Sequence, residues 1–164
     1  DCLVLGPTLI SATALTALTY VAGHALWSQY LHIARVPLAA ELTVFVGAFA
    51  GACLGFLWFN CHPAQVFMGD VGALSLGGTM AVIALLIKQE FLLFTVAGVF
   101  ILEAASVLLQ VSYFKLSKGK RIFKMAPLHH HFELSGWPEG RVVIRFWILG
   151  LIFALFSLAT LKLR

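Results

Sequence analysis

Long apolar segments alternate with short polar segments along the whole chain. Between the apolar segments lie a linker at 27–40, a loop at 60–70, a tight turn at 88–90 and a long loop at 114–141. A membrane-spanning helix needs roughly 20 mainly apolar residues. Five segments meet that requirement: 3–26, 41–59, 71–88, 91–113 and 142–162. The pattern predicts an all-α, polytopic membrane protein with about five transmembrane helices in a single membrane domain, residues 1–164.

Composition supports a membrane protein over a soluble one. Of the 164 residues, 61% are hydrophobic and 11% are charged, whereas soluble domains are about 45–50% apolar. The net charge of +4 does not indicate a nucleic-acid partner, because most basic residues lie in one loop. They are Lys115, Lys118, Lys120, Arg121, Lys124 and Arg141.

Basic loops of membrane proteins are usually cytoplasmic, so this loop fixes an orientation. By alternation, Asp1, the 60–70 loop and the 114–141 loop are then all expected on the cytoplasmic side. The basic residues have two uses that the sequence does not separate. They can hold the loop against anionic headgroups, or they can bind a phosphate.

The three cysteines are odd in number and scattered, so the sequence predicts free thiols and no disulfide framework. The chain starts abruptly at Asp1 without an initiator methionine, and we expect it to be a piece of a longer chain.

The second apolar segment carries glycines at one-turn spacing, at positions 47, 51 and 55. Small residues at this spacing let another helix approach closely. Tight packing inside the chain is the favoured interpretation, and a homodimer contact is the alternative.

The segment FNCHPAQVFMGDVGALSLGG, residues 59–78, places Asp70 at the entrance of the third apolar span. Aspartate is one of the best helix N-cap residues, which gives a purely structural interpretation. A carboxylate beside Gly69 at a helix N-terminus can also hold Mg²⁺ where the helix dipole favours phosphate. Both roles are compatible.

Three consecutive histidines, His129, His130 and His131, lie in the basic loop. Neighbouring side chains diverge, so the three cannot all bind one metal ion with tetrahedral geometry. A zinc site that adds Cys61 and His62 is a weaker alternative, since the usual ligand spacings are absent. We expect one or two imidazoles to bind a phosphate or orient a substrate while another packs structurally.

Glu103, Ser106 and Gln110 follow one another at helical spacing in the fourth apolar segment, so they share a helix face. An acid at this depth is a functional candidate by default, because it must face the bundle interior or a water-filled cavity. A paired structural role for Glu103 is the alternative.

Two blocks together carry a resemblance to a known family. FNCHPAQVFMGDVGALSLGG and FKMAPLHHHFELSGWPEGRVVIRFWI look like signatures of the bacterial phospho-N-acetylmuramoyl-pentapeptide transferases, within the polyprenyl-phosphate N-acetylhexosamine-1-phosphate transferase superfamily. The aspartate block is typical of the superfamily and the HHHFE block of this branch. The resemblance implies ten spanning helices in the complete enzyme, of which this chain resembles the C-terminal half.

The resemblance also implies roles for individual residues. Asp70 matches the Mg²⁺-binding aspartate, His129 and His130 match functional histidines, and Asp1 matches the second aspartate of the family's NLTDGLDGL motif. Cys2 stands where that motif has glycine, which puts that turn in doubt. The implied substrate-binding residues are Asn60, Phe67, Gly69, Gln110 and His131.

The implied activity is Mg²⁺-dependent transfer of phospho-MurNAc-pentapeptide from UDP-MurNAc-pentapeptide to undecaprenyl phosphate, giving lipid I and UMP in peptidoglycan synthesis. The implied location is the cytoplasmic face of the bacterial inner membrane. Whether an aspartate or the lipid phosphate attacks first stays open. The missing N-terminal half is an expected partner, and we expect this chain to be inactive without it. The alternatives are a GlcNAc-1-phosphate transferase, a non-catalytic membrane fragment and, least favoured, an anion transporter.

Overall fold

The computed structural model describes residues 2–61, 63–117 and 119–161. These residues form helices and connecting loops, and no strand occurs among them. The eight helices are α1 (Cys2–Gly23), α2 (Ala25–Tyr30), α3 (Ala39–Asn60), α4 (Gly69–Leu86), α5 (Glu90–Val96), α6 (Gly98–Leu116), α7 (Leu128–Glu133) and α8 (Glu139–Thr160).

Five of these helices, α1, α3, α4, α6 and α8, are long and apolar enough to cross a membrane. This confirms the predicted all-α, polytopic class. A helix satisfies its backbone hydrogen bonds within itself, which is the requirement that lipid imposes on a spanning segment.

Helix α1 is the centre of the bundle and packs mainly against α3 and α8. Its buried face includes Leu5, Leu15 and Leu18. Thr8 is also fully buried, and its hydroxyl donates to the carbonyl of Val4 at 2.8 Å. The buried polar groups of α1 therefore do not require water.

The fourth predicted span, 91–113, is divided in the structure. Helix α5 ends at Val96 and α6 begins at Gly98, with Ala97 between them at φ −84° and ψ 17°. A Cβ built at Gly98 would lie 2.7 Å from the ring of Phe153 in α8. The break therefore lies next to a close approach of an α8 side chain to the backbone at the start of α6.

Contrary to the prediction, the glycine face of α3 does not pack against other described residues of the chain. A Cβ built at Gly47, Gly51 or Gly55 would meet no described atom within 4 Å. This surface is open in the described part of the chain, and the homodimer contact stays a prediction.

Candidate functional site

One end of the bundle brings two of the predicted site residues to a cavity of about 380 Å³. The cavity lies between the start of α1, the end of α3, the 61–68 loop and the start of α8. Its lining residues are Cys2, Asn60, Ala64, Phe67, Glu139, Gly140 and Val143. The structure thus brings Asn60 and Phe67 together, as their joint assignment to substrate binding requires.

Asn60 is the last residue of α3 and is only 2% exposed. Its Nδ2 donates to the carbonyl of Val66 at 2.6 Å, and the Gln65 amide donates to the carbonyl of Phe59 at 2.9 Å. These bonds close the 61–66 loop on the helix end. The Asn60 Oδ1 is buried and has no partner among the described residues, which leaves one acceptor for a ligand donor.

Phe67 is 76% exposed although it borders the cavity. An exposed phenylalanine ring outside the lipid-spanning segments loses hydrophobic stabilisation. An aromatic face at a cavity rim is the arrangement on which a planar base can stack.

Asp70 lies in the first turn of α4, and its side chain is exposed. The N-cap residue is Met68, without a side-chain capping bond, so the interpretation of Asp70 as the helix cap is wrong. Gly69 adopts φ +67°, a left-handed conformation that favours glycine. This glycine directs the chain into α4 and orients the carboxylate that follows.

The described residues fit Mg²⁺ as part of a site and not as a complete cage. No group of three His, Cys, Asp or Glu side chains that could hold a metal occurs among them. The Asp70 carboxylate forms no bond to a described side chain and is therefore available. Mg²⁺ commonly takes one or two carboxylates, with substrate phosphates and water completing its shell. No such group of three side chains includes Cys61 among the described residues, and His62, the other residue of the zinc alternative, lies outside them.

The histidine run forms the short helix α7, inside the predicted 114–141 loop. His129 Nδ1 lies 3.1 Å from Glu103 Oε2 of α6, with the two side chains 23% and 15% exposed. The hydrogen bond to Glu103 raises the pKa of His129 against the opposing effect of burial. The other oxygen, Glu103 Oε1, is buried without a described partner.

The other two histidines are also held through Nδ1. His130 Nδ1 lies 2.9 Å from Glu133 Oε2, and His131 Nδ1 accepts from the Lys124 amide at 3.1 Å. An ionised carboxylate can only accept, so Nδ1 of His130 carries the proton. His131 must instead leave Nδ1 unprotonated. His131 therefore positions the loop, whereas the Nδ1 atoms of His129 and His130 are each paired with a carboxylate.

The remainder of the HHHFE block anchors α7 on α8. Phe132 stacks on Trp137 with ring centroids 4.8 Å apart and meets Phe146 edge-on at 6.3 Å. Gly136, at φ +95°, forms the turn between Phe132 and Trp137. Arg145 lies 4.0 Å over the Trp137 ring. These contacts hold the three histidines in place at this end of the bundle.

Gln110 supports the basic loop. Its Oε1 accepts from the amides of Ile122 and Phe123 at 3.1 and 2.9 Å, and its Nε2 donates to the carbonyl of Phe123 at 3.2 Å. Beside it lies a groove of about 520 Å³ that combines Lys115, Arg121 and Lys124 with apolar side chains. The groove has the charge to hold an anion.

The site residues fall into two clusters, which are the Asn60 cavity and the histidine helix with its groove. Glu139, at the start of α8, lies between the two clusters. It lines the cavity and follows Trp137, which anchors α7 on α8. No hydrogen bond or ion pair joins Asp70 to a histidine among the described residues. Asp1 lies outside the described residues, so its predicted catalytic role stays a prediction.

Sequence reasoning did not identify Glu133 or Glu139. Glu133 follows His130 by three residues, a spacing that predicts contact once the segment is known to be helical. Glu139 had no comparable signal, because the packing of α8 against α1 brings it to the cavity.

Comparison with known proteins agrees with this arrangement. Residues 1–88 match glycosyl transferase family 4. The whole chain is 62% identical to a phospho-N-acetylmuramoyl-pentapeptide-transferase of Acidobacterium capsulatum and 62% identical to one of Solibacter usitatus, covering 43% of each relative. It is 58% identical to the enzyme of the same name from Desulfotalea psychrophila, covering 46% of that protein. The chain therefore spans less than half the length of these curated relatives, and it belongs to glycosyl transferase family 4.

Proposed function

We propose that the protein containing this chain transfers phospho-MurNAc-pentapeptide from UDP-MurNAc-pentapeptide to undecaprenyl phosphate, giving lipid I and UMP. The observation that carries the proposal is the cavity at the bundle end that Asn60 and Phe67 line together. The names of relatives at 58–62% identity support this reaction over other members of the family.

In this proposal the cavity binds the nucleoside. The Phe67 ring stacks on the uracil, and the buried Asn60 Oδ1 accepts a hydrogen bond from the nucleoside. Binding the base fixes where the diphosphate lies, and phosphoryl transfer depends mainly on such positioning and on charge stabilisation.

In the proposed complex His129 supplies positive charge near the diphosphate, and His130 lies next to it in α7. Their Nδ1 atoms are directed to Glu103 and Glu133, so only Nε2 of each ring remains to contact an anion. A protonated Nε2–H donates to a phosphate oxygen. The carboxylate partners thus determine the orientation of both rings, and Glu103 also favours the charged form of His129 by raising its pKa.

Asp70 is the residue of this chain that we propose as a Mg²⁺ ligand. A bound Mg²⁺ would neutralise charge on the diphosphate during transfer. The remaining ligands would come from the substrate, from water and from parts of the protein outside the described residues, where Asp1 is one candidate.

We further propose that this end of the bundle faces the cytoplasm at the bacterial inner membrane. The basic residues of the 114–141 segment support this orientation. The groove of Lys115, Arg121 and Lys124 then lies where a lipid phosphate meets water, which suits the phosphate of the acceptor lipid.

The test uses the full-length protein in membranes and measures Mg²⁺-dependent UMP release. We expect Asp70→Asn and His129→Ala to reduce turnover on the order of 100-fold, as loss of a charge-stabilising group does. His32→Asn is the matched control, because His32 lies at the other end of the bundle beside Lys88. Full activity of Asp70→Asn would return Asp70 to a structural role.

The GlcNAc-1-phosphate transferase is the alternative within the same family. Replacing the donor by UDP-GlcNAc separates the two reactions, since our proposal expects turnover only with UDP-MurNAc-pentapeptide. Turnover with UDP-GlcNAc alone would favour the alternative, and absence of both reactions in a folded full-length protein would favour a non-catalytic role.

A further inference from the structure

Two cysteines that are 59 residues apart in the sequence meet at the edge of the cavity. Cys2 begins α1 and Cys61 follows α3, and their Sγ atoms are 3.8 Å apart. Both are free thiols, Cys61 exposed and Cys2 partly exposed. A disulfide has an S–S distance of about 2.05 Å. Oxidation therefore requires the sulfurs to approach by about 1.8 Å.

The backbone on each side of this pair is already held. The Trp147 Nε1 donates to the Cys2 carbonyl at 3.2 Å, and the Cys61 amide donates to the carbonyl of Leu57 at 2.9 Å. The backbone of both residues is thus held by hydrogen bonds, and side-chain rotation supplies most of the approach. Cys53 is different, because it is buried in the middle of α3 and contacts neither sulfur.

We propose that Cys2 and Cys61 are a redox modification site at the edge of the cavity. A two-electron oxidant such as a quinone joins the two sulfurs. Both S–H bonds break, an S–S bond forms, and the quinone leaves as the hydroquinone with the two electrons and two protons. A dithiol reductant reverses the reaction. Cysteine pairs of this kind in reducing compartments are usually transient and redox-sensing.

The bond would restrain the candidate site. Cys2 lines the cavity, and Cys61 immediately follows Asn60 and begins the loop that ends at Phe67. A disulfide would tie the start of α1 to this loop and draw one cavity wall inward. This consequence rests on the proposed function, whereas formation of the bond does not.

The test oxidises the full-length protein in membranes with diamide, blocks remaining thiols and identifies linked peptides by mass spectrometry. We expect a Cys2–Cys61 peptide in the wild type and in the matched control Cys53→Ser, and we expect dithiothreitol to remove it. Cys61→Ser must not give it. Absence of the linked peptide from the wild type, or linkage of Cys2 to a different cysteine, would overturn the proposal.

UMP release before and after oxidation tests the effect on the cavity. We expect diamide to reduce it in the wild type and in Cys53→Ser but not in Cys61→Ser, with recovery after reduction. Formation of the linked peptide with unchanged UMP release would overturn the proposal that the disulfide restrains the cavity. Absence of UMP release from the reduced wild type would instead refute the proposed function, while the peptide analysis still decides whether the cysteines pair.

Discussion

The contact between Glu103 and His129 predicts a measurable electrostatic effect. Glu103→Gln keeps the size of the side chain and an acceptor oxygen but removes the charge. A hydrogen bond to a charged group contributes about 1.5–3 kcal/mol, and both side chains are less than a quarter exposed. At acidic pH we therefore expect Glu103→Gln to lower the free energy of unfolding by about 1.5–3 kcal/mol, roughly 10- to 100-fold in the folding equilibrium.

The sign of the pH dependence follows from His129. Glu103 raises the pKa of His129 above its ordinary value of 6.5, so the folded state binds this proton more tightly than the unfolded state. The stabilisation is fully present below about pH 6.5 and is lost as the pH rises through the raised pKa. Above that pH, Glu103 keeps only a hydrogen bond to a neutral ring and has a buried Oε1 without a described partner. The difference between wild type and variant should then become small.

The assay is SDS-induced unfolding of the full-length protein in mixed micelles, from acidic to mildly alkaline pH. Glu133→Gln is the matched control. Glu133 forms a similar contact with His130, at 2.9 Å, but the side chains of His130 and Glu133 are 40% and 33% exposed. Such exposed pairs contribute below about 1 kcal/mol. Equal losses in the two variants, or a Glu103→Gln loss that does not change with pH, would show that the charge of Glu103 does not stabilise His129.

Two further predictions concern glycine geometry and loop support. Gly69→Ala places a side chain at φ +67° and should cost about 1–2 kcal/mol. Gly77 lies inside α4 without a positive φ, so Gly77→Ala should be neutral or stabilise by up to about 1 kcal/mol. Equal changes of the two variants in SDS unfolding would contradict this. Gln110→Leu removes two accepted backbone hydrogen bonds of about 1 kcal/mol each. The variant should speed limited proteolysis of the 119–125 loop by about tenfold or more. An unchanged rate of cleavage would exclude the role of Gln110 in supporting this loop.

The spanning helices could be predicted from the sequence because lipid imposes simple requirements. A span needs sufficient apolar length and internal backbone hydrogen bonds, and both are local properties. The break at Ala97 could not be predicted in this way, because the residues on either side are equally apolar. It coincides with the contact between Gly98 and Phe153, which links residues 55 positions apart.

The types of residue in the site could be predicted from the sequence, but the side chains that contact one another there could be predicted much less well. Glu103 was identified as an acid with a role, since a charge at that depth requires a partner. The identity of that partner, His129, depends on where α7 lies. The position of α7 depends in turn on Phe132 against Trp137 and Phe146. The Cys2–Cys61 contact was missed for the same reason, because it arises from the packing of α1 on α3.

The helices that carry site residues are also the least covered, and this gives a final prediction. In the most apolar part of α1, 56% of residues are buried, against 17% in α4 and 11% in α6. Asp70 lies in the first turn of α4, and Gln110 lies in α6. Because the chain spans under half the length of its relatives, we expect the remainder of the protein to cover these two helices and complete the site. The 164-residue chain alone should then release no UMP, and coexpression of the remainder should restore release. UMP release by the chain alone would show that α4 and α6 need no further cover.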